Sequence, residues 1–347
     1  MQTKQWLLTS KPPSLPLLSG PNPTFTQTST TTPPLSPNHL LLKTLYLSND
    51  PAQRGWISPN ADPARLYVPP VPTGAVMRST GIAEVIESLS PSHPPGSLVF
   101  AVTNWSEYTV VHEGEVQRIT PVDGLGVTHF LGSLGLPGLT AYYGLKEVVK
   151  TTSEDVVVVS GAAGATGGMA VQIAKRILGC KRVIGIAGTD EKCRWVESHG
   201  ADVCINYRKE TFEKDLFRET EGFVDVFYDN VGGKILDLML LRMKRHGRIA
   251  ACGTISNYNK NLDPVGIKNY YEVVSNRISI HGFIVFDYMH KAAEVRELFL
   301  QAWKEGKIIL SDDTETVIEA PFEDIPEVWL KLFDGSNRGK LTTKLIG

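Results

Sequence analysis

Three glycines spaced three residues apart, Gly161, Gly164 and Gly167, follow a run of four valines and precede a stretch with helical character. The valines at 156–159 are β-branched and apolar, a composition typical of a strand buried on both faces. Glycine lets the backbone turn sharply and approach a ligand closely. A helix that begins after such a turn directs N–H groups and its positive dipole end at the ligand. Pyrophosphate is the ligand that this arrangement fits best.

The spacing of these glycines, G-x-x-G-x-x-G, differs from the usual dinucleotide fingerprint G-x-G-x-x-G. On this stretch alone, a glycine-rich loop of an ordinary α/β domain therefore stays an open alternative. The surrounding elements favour the nucleotide site, because strand-like and helix-like segments alternate. Strands are predicted near 155–160, 182–187, 202–206, 224–228, 248–252 and 278–285. Six strands with crossover helices, such as those predicted at 189–198 and 234–244, indicate an α/β fold of Rossmann type with a doubly wound parallel sheet.

The first part of the chain has a different pattern. Residues 1–40 are rich in Pro, Ser and Thr, and short β-like runs with Gly and Pro between them follow. This pattern predicts a small barrel-like β domain. The stretch from 315 has β character again, and we expect it to return to the first domain. The predicted division is thus 1–130 with 315–347, and 131–314.

Composition narrows the partners and the location. The chain has 347 residues and a net charge of −2, so nothing favours a nucleic acid or an anionic membrane surface. No apolar run reaches the roughly 18 residues that span a bilayer, and the first residues lack the apolar core of a signal peptide. We expect a cytoplasmic protein.

The four cysteines are Cys180, Cys193, Cys204 and Cys252, and no C-x-x-C motif occurs. A disulfide framework and a structural zinc cluster are both disfavoured by this spacing. We expect four small, partly buried thiols, since an unpaired cysteine usually behaves as a small hydrophobic residue.

The tip of the second predicted strand, at 186–189, carries no carboxylate. In NAD-binding folds an acid about 20 residues after the glycine loop binds the ribose 2′-hydroxyl. Asp190 and Glu191 follow where the next helix begins, a position that fits helix capping or the helix dipole. Lys192 lies just beyond, and Tyr207 ends the neighbouring third strand. A missing acid beside a cation accepts a 2′-phosphate, so the sequence favours NADP(H) over NAD(H).

Further segments resemble the medium-chain dehydrogenase/reductase superfamily, and more narrowly its zinc-free leukotriene B4 dehydrogenase / prostaglandin reductase / alkenal double-bond reductase family. They stand in the order of that family: Leu47–Pro51, Gly135–Tyr142, Gly161–Gly168, Gly188–Lys192, Asp229–Gly233, Gly247–Asn259 and Phe283–Val285.

The resemblance implies a GroES-like, β-barrel-type catalytic domain from 1–130 and 315–347, a Rossmann NADP-binding domain at 131–314, and an active site in the cleft between them. It also implies NADP(H) and a homodimer. Carried over by position, the cofactor residues are Gly164, Ala165, Thr166 and Gly167 at the phosphates, Lys192 and Tyr207 at the adenosine 2′-phosphate, and elsewhere Asn230, Cys252, Gly253, Thr254, Ile255, Ser256, Tyr258, Phe283, Ile284, Val285 and Asn337.

Zinc-dependent relatives use an early cysteine, a Gly-His-Glu motif and a further Cys or Asp. Here Arg78-Ser79-Thr80-Gly81 stands in the place of that motif, and no cysteine precedes Cys180. We therefore expect no metal. Without a Lewis acid to polarise an alcohol or a ketone, alcohol dehydrogenase chemistry is disfavoured.

NADPH can instead reduce an activated alkene, by hydride addition to the β-carbon of an α,β-unsaturated carbonyl compound. Negative charge then develops on the carbonyl oxygen and needs a hydrogen-bond donor. Tyr258 is the candidate, because its phenol could donate to that oxygen and relay a proton. A tyrosine that only lines the cofactor is the alternative.

One departure from the family pattern concerns the substrate. The family often has Asp-Pro-Tyr-Met-Arg where this chain has Asp50-Pro51-Ala52-Gln53-Arg54. We assign Ala52 and Arg54 to the substrate pocket, where the small Ala52 leaves room for a bulkier substrate. Two other functions stay open: an NADPH quinone reductase of the same superfamily, and a non-catalytic NADPH-binding protein.

Overall fold

The computed structural model describes residues 1–260 and 266–347, and within these residues the chain divides into two compact units. Unit 1 comprises Met1–Leu131 and Thr316–Gly347, and unit 2 comprises Gly132–Glu315. No helix of the described residues is both long and apolar enough to cross a membrane.

The strands, in chain order, are β1 (Gln2–Leu8), β2 (Phe25–Thr31), β3 (His39–Ser48), β4 (Gly81–Ser88), β5 (Leu98–Ala101), β6 (Tyr108–His112), β7 (Gln117–Arg118), β8 (Val156–Ser160), β9 (Arg182–Ala187), β10 (Val203–Asn206), β11 (Val224–Asp229), β12 (Met243–Ala251), β13 (Ser279–Gly282), β14 (Glu315–Ala320) and β15 (Lys340–Leu345). The α-helices are α1 (Gln53–Trp56), α2 (Leu136–Tyr143), α3 (Ala165–Gln172), α4 (Asp190–Ser198), α5 (Phe212–Glu219), α6 (Gly233–Leu240), α7 (Tyr271–Ser275), α8 (Ala292–Lys304) and α9 (Ile325–Asp334).

Unit 2 is built on a parallel sheet that has six strands in the described part of the chain, in the order β10-β9-β8-β11-β12-β13. Val157, Val158 and Val159 of β8 are completely buried at its centre, as expected for a strand covered on both faces. The order reverses direction next to β8, which is where doubly wound sheets bind their ligands. The predicted Rossmann-type sheet is confirmed.

The boundary between α6 and β12 in unit 2 was predicted wrongly. The sequence predicts a helix to 244 and a strand from 248, but α6 ends at Leu240 and β12 already begins at Met243. Met243 pairs with Val224 of β11 ahead of a β-bulge, and the Nζ atom of Lys244 lies 2.7 Å from Oδ2 of Asp225. These contacts with a neighbouring strand outweigh the local helical pattern.

Unit 1 contains a largely antiparallel sheet with the strand order β14-β15-β3-β4-β5-β7, and β6 also pairs with β3. Among the described residues this sheet is open rather than closed into a barrel. The reason lies in β3, where β6 pairs with residues 39–43 and β15 pairs with residues 46–48. Two short strands therefore share one long neighbour. The C-terminal β15 lies in this sheet.

Candidate functional site

The glycine turn connects β8 to α3 and depends on backbone packing. Gly161 has a φ of +60°, a conformation that favours glycine, and the Gly164 N–H donates to the Gly161 carbonyl at 3.0 Å. A Cβ atom on Gly167 would lie 2.1 Å from that same carbonyl oxygen. Any side chain at 167 would therefore force the turn open, which explains the third glycine of the motif.

Helix α3 begins at Ala165, directly after this turn. Its N-cap is Gly164 in an extended conformation, and no side chain of the described residues caps it. Gly164, Ala165 and Thr166 are half-buried. The N–H groups of the first helical turn thus stay available to an anion, and the helix dipole adds attraction for a phosphate.

The end of β11 is held against the glycine turn by Asp229, which is 2% exposed. Its Oδ1 accepts hydrogen bonds from Ser160 Oγ at 2.8 Å and from the N–H groups of Val231 and Gly232 at 3.0 Å each. Ser160 in turn accepts from the Asn230 N–H at 2.9 Å, while Asn230 Nδ2 donates to the Ser160 carbonyl at 2.7 Å. This network fixes the backbone and the amide of Asn230.

Ser160 and Asp229 were not among the predicted site residues. Burial raises the pKa of Asp229, and the hydrogen bonds from Gly232, Val231 and Ser160 offset part of that rise. A signal was present in the sequence, since an Asp at a strand end with Gly-Gly three residues later is typical of a turn built on a carboxylate.

The segment 252–256 runs beside the segment 229–231. The N–H groups of Cys252 and Gly253 both donate to the Asp229 carbonyl, at 2.9 and 3.1 Å. Ser256 donates to the Val231 carbonyl through its N–H at 3.2 Å and through Oγ at 2.6 Å. The structure therefore brings the predicted residues Asn230, Cys252, Gly253 and Ser256 together at the carboxyl ends of β11 and β12.

Tyr258 lies half-buried at the end of this segment. Its hydroxyl is the acceptor of a long, 3.5 Å contact from the Thr254 N–H. A Cβ atom on Gly253 would lie 3.3 Å from the same hydroxyl and 3.2 Å from the Asn230 carbonyl oxygen. The phenol is thereby placed next to the loops that follow β11 and β12.

Tyr228 is completely buried and lies next to both Cys252 and Phe283. The Tyr228 hydroxyl donates to the Thr140 carbonyl at 2.9 Å, and the Phe283 ring packs edge-on at a centroid distance of 6.3 Å. Burial raises the pKa of Cys252 to about 11. Its thiol is therefore protonated near neutral pH and acts as packing. Ile284 and Val285 follow Phe283 and are half-buried.

The tips of β9 and β10 form the other end of the candidate site. The Tyr207 N–H donates to the Ala187 carbonyl at 3.0 Å, and a Cβ atom on Gly188 would lie 3.2 Å from the Tyr207 ring. Thr189 caps α4 by accepting from the Lys192 N–H at 3.1 Å. Lys192 therefore stands in the first turn of α4, next to the two strand tips.

Asp190 opens α4, as its predicted role in the first helical turn requires. Its Oδ1 accepts from Lys209 Nζ at 2.8 Å and from Asn206 Nδ2 at 3.0 Å. The hydrogen bond from Lys209, followed by that from Asn206, lowers the pKa of this carboxyl. Asp190 is thus engaged by its own neighbours.

Three predicted residues belong to unit 1. Ala52 is half-buried and immediately precedes α1. Arg54 is 1% exposed, and its Nη2 donates to the carbonyls of Pro12 and Ser14 at 2.8 Å each. Burial lowers the pKa of Arg54. Asn337 Nδ2 donates to the Gly339 carbonyl at 3.1 Å. Their assignments to substrate and cofactor stay predictions.

The features of unit 2 fit the dinucleotide that the sequence predicts. Gly164 and Gly167 form a backbone cradle that a Cβ would fill, a helix N-terminus faces it, and the strand tip at Gly188 has no carboxylate of its own. Among the residues that the structure describes, no group of three or more His, Cys, Asp or Glu side chains could hold a metal ion.

A six-stranded doubly wound sheet with a glycine turn at its centre, joined to a β-rich unit, is the architecture of a nucleotide-dependent oxidoreductase. Two family models match the chain, "N-terminal domain of oxidoreductase" over residues 4–119 and "Zinc-binding dehydrogenase" over residues 165–302.

Individual relatives narrow the class. The chain is 35% identical to the 2-alkenal reductase (NADP(+)-dependent) of Nicotiana tabacum, over 88% of this chain and 87% of the relative. It is 32% identical to the NADPH-dependent curcumin reductase of Escherichia coli K12, over 100% and 98%. The crystal structure of CurA in complex with NADPH from Vibrio vulnificus matches with a TM-score of 0.87 and 31% identity, over 99% of both chains. The chain belongs to the zinc-free leukotriene B4 dehydrogenase / prostaglandin reductase / alkenal double-bond reductase family of medium-chain dehydrogenases/reductases.

Proposed function

We propose that the protein reduces the C=C bond of α,β-unsaturated carbonyl compounds, without zinc, by hydride transfer from NADPH to the β-carbon. It is an oxidoreductase, and NADP(H) is its cofactor. The observation that carries the proposal is the glycine cradle of residues 161–167, in a chain 32–35% identical to reductases named for alkenals and curcumin.

NADPH, when bound, supplies the hydride. The chain's own residues bind and orient it: Gly164–Gly167 and the start of α3 hold the pyrophosphate, and Lys192 with Tyr207 holds the 2′-phosphate. The amide of Asn230 is held in one orientation by the Ser160 carbonyl, so we expect it to present a fixed edge to the cofactor. Fixed groups cost little reorganisation at the moment of reaction.

Tyr258 supplies the hydrogen bond to the carbonyl oxygen of the substrate. As hydride reaches the β-carbon, negative charge moves to that oxygen, and a phenol O–H stabilises it. The phenol then passes a proton towards the enolate and is replenished from solvent. The location of Tyr258 beside Gly253 and Asn230 supports this role. In unit 1, Ala52 and Arg54 would shape the substrate pocket, with Ala52 leaving space for a bulky group.

We also propose a homodimer, formed through the β13 edge of the sheet. All four residues of β13 are exposed, and β13 is the last strand of the sheet in the described part of the chain. Apolar side chains surround this edge with exposures of 40–74%: Tyr270, Tyr271, Val274, Ile280 and Phe286. An open strand edge flanked by apolar residues favours pairing with a second chain. Light scattering should give twice the mass of one chain, and Ile280→Glu should shift it towards the monomer.

The decisive experiment for the reaction follows NADPH consumption by absorbance with three acceptors: an enone, a quinone and a saturated ketone. Consumption with the enone alone, with the saturated ketone recovered as product, supports the proposal. Turnover of the quinone but not the enone would point to a quinone reductase. Tight NADPH binding without turnover of any acceptor would point to a non-catalytic binding protein.

A further inference from the structure

Two of the four cysteines lie together, between α4 and the edge strand β10. Cys193 is in the first half of α4 and is 6% exposed, while Cys204 lies in β10 and is half-buried. Their side chains are close enough for each thiol to shift the pKa of the other. The two cysteines are eleven positions apart and form no C-x-x-C motif, so their proximity could not be predicted from the sequence.

The backbone below the pair explains the contact. Cys204 pairs with Gly185 of β9, and a Cβ atom on Gly185 would lie 3.1 Å from Cys204 Sγ and 2.6 Å from Val196 Cγ1 of α4. Because Gly185 has no side chain, α4 can pack closely against the sheet at this position. The Cys204 thiol therefore points to the helix-facing side, where Cys193 lies.

The pKa values of these two thiols are shifted by a different cause from those of the other two cysteines. Contact with Cys204 lowers the pKa of Cys193, and the reciprocal contact raises the pKa of Cys204. Burial instead raises the pKa of Cys180 and of Cys252 to about 11. A thiolate is the reactive form of cysteine, and Cys193 lies close to the N-terminus of α4, where the helix dipole favours a thiolate. Cys193 is therefore the nucleophile and Cys204 the resolving thiol. Cys204 stands on an edge strand and is half-buried, which gives a small oxidant a way in.

We propose that Cys193 and Cys204 form a reversible disulfide on reaction with a peroxide, and that this bond weakens the binding of NADPH. The Cys193 thiolate attacks the O–O bond and becomes a sulfenic acid, releasing one water after protonation. The Cys204 sulfur then displaces the sulfenic hydroxyl as a second water. Two thiols and one hydrogen peroxide thus give one disulfide and two waters, and a dithiol reductant restores the pair.

The effect on the cofactor follows from the neighbours of the pair. Cys193 directly follows Lys192, and β10, which carries Cys204, ends at Asn206 just before Tyr207. Lys192 and Tyr207 are the residues proposed above for the 2′-phosphate, so this second part rests on the proposed function. A covalent bond shorter than a thiol–thiol contact draws the first turn of α4 towards β10 and moves Lys192 with it. NADH has no 2′-phosphate, so its binding does not depend on this displacement.

The test uses the intact protein, first reduced and then treated with hydrogen peroxide. Peptide mapping should find a Cys193–Cys204 disulfide, and the Kd of NADPH should rise about tenfold while that of NADH stays within about twofold. Cys204→Ser should form no disulfide and keep its NADPH affinity after peroxide. Cys180→Ser, the matched control, should still form the bond.

Either of two results would overturn the proposal. One is that Cys193 and Cys204 stay unlinked after peroxide; the other is that the disulfide forms and affects NADPH and NADH alike. Cys193→Ala provides a second variant should Cys204→Ser be unstable. A reduced protein that binds no NADPH would instead count against the proposed function, because the disulfide is measured independently by mapping.

Discussion

Lys340 and Asp50, 290 positions apart, form an ion pair with Lys340 Nζ 2.6 Å from Asp50 Oδ1, in which the lysine is buried and the aspartate half-buried. The same ammonium donates to the Asn49 carbonyl at 2.9 Å. Asp50 continues the network, because its N–H donates to Gln53 Oε1 at 2.8 Å. The C-terminal strand β15 therefore fixes the segment that carries Ala52 and Arg54, both proposed for the substrate pocket.

Replacing Lys340 with Met should destabilise unit 1 by about 3 kcal/mol, because the Asp50 carboxylate and the Asn49 carbonyl lose their buried partner. Lys344→Met is the matched control on the same strand. Its pair with Glu319 is exposed, so the loss should stay below about 1 kcal/mol. Urea unfolding followed by tryptophan fluorescence measures both. Equal losses in the two variants would contradict this account.

Gly167→Ala should raise the Kd of NADPH by more than about tenfold, because the new methyl group collides with the Gly161 carbonyl and opens the phosphate turn. Gly126→Ala is the control, since a Cβ there meets its nearest atom at an ordinary 3.4 Å. Calorimetric titration with NADPH distinguishes the two variants. Unchanged affinity in Gly167→Ala would mean that the cofactor binds elsewhere.

Lys192→Ala should reduce the preference for NADPH over NADH by about tenfold or more, because the 2′-phosphate loses a cation. The exposed Lys214 on α5 provides a control, and Lys214→Ala should leave the preference unchanged. The ratio of kcat/KM for the two cofactors is the measurement. A loss of the same size with both cofactors would assign Lys192 to the structure of α4 instead.

Tyr258→Phe should lower kcat with an enone by about a hundredfold and leave the Kd of NADPH nearly unchanged, since it removes a donor needed mainly in the transition state. Equal turnover by the variant and the wild type would mean that Tyr258 only lines the cofactor site and takes no part in proton transfer. Tyr108→Phe, on β6 of unit 1, is the control.

Asp229→Asn should be tolerated, whereas Asp229→Ala should cost about 2–3 kcal/mol. The donors from Ser160, Val231 and Gly232 all reach Oδ1, so an amide oxygen at that position keeps them, while Ala leaves them unsatisfied. Thermal unfolding with intact NADPH-free protein reports the difference.

The difference in folding stability between Asp229→Asn and the wild type should change with pH in a defined direction. The folded-state pKa of Asp229 is raised, so its protonated form is favoured by folding. The protonated Asp229 contributes fully to folding stability below its unfolded-state pKa of about 4. This contribution is lost as the pH rises through its folded-state pKa. The stability of Asp229→Asn relative to wild type should therefore increase between about pH 4 and neutrality. A constant difference across this range would contradict the burial of an ionised Asp229.

The predictions from sequence succeeded where the cause is local. The valine run and the three glycines encode β8, the turn and α3 within a few positions, and Thr189 followed by two acids encodes the start of α4. They failed where a distant residue decides. The early start of β12 depends on Val224 and Asp225 of β11.

The candidate site shows the same division. Asn230 was assigned through the family resemblance, but Ser160, which holds its amide, lies 70 positions away. The contact between Cys193 and Cys204 requires Gly185 on a third element. No periodicity or spacing within one segment contains these relationships.

The position of β15 in the unit 1 sheet also determines which unit can complete its folding first during translation. Unit 2 is continuous from Gly132 to Glu315, so it is fully translated before the last segment of unit 1. In unit 1, β3 can pair with β15 only after residues 342–344 have been translated. Chains emerge N-terminus first, and domains tend to fold as they appear. The half that emerges first therefore completes its sheet late, and residues 46–48 of β3 stay without their β15 partner until residues 342–344 have been translated.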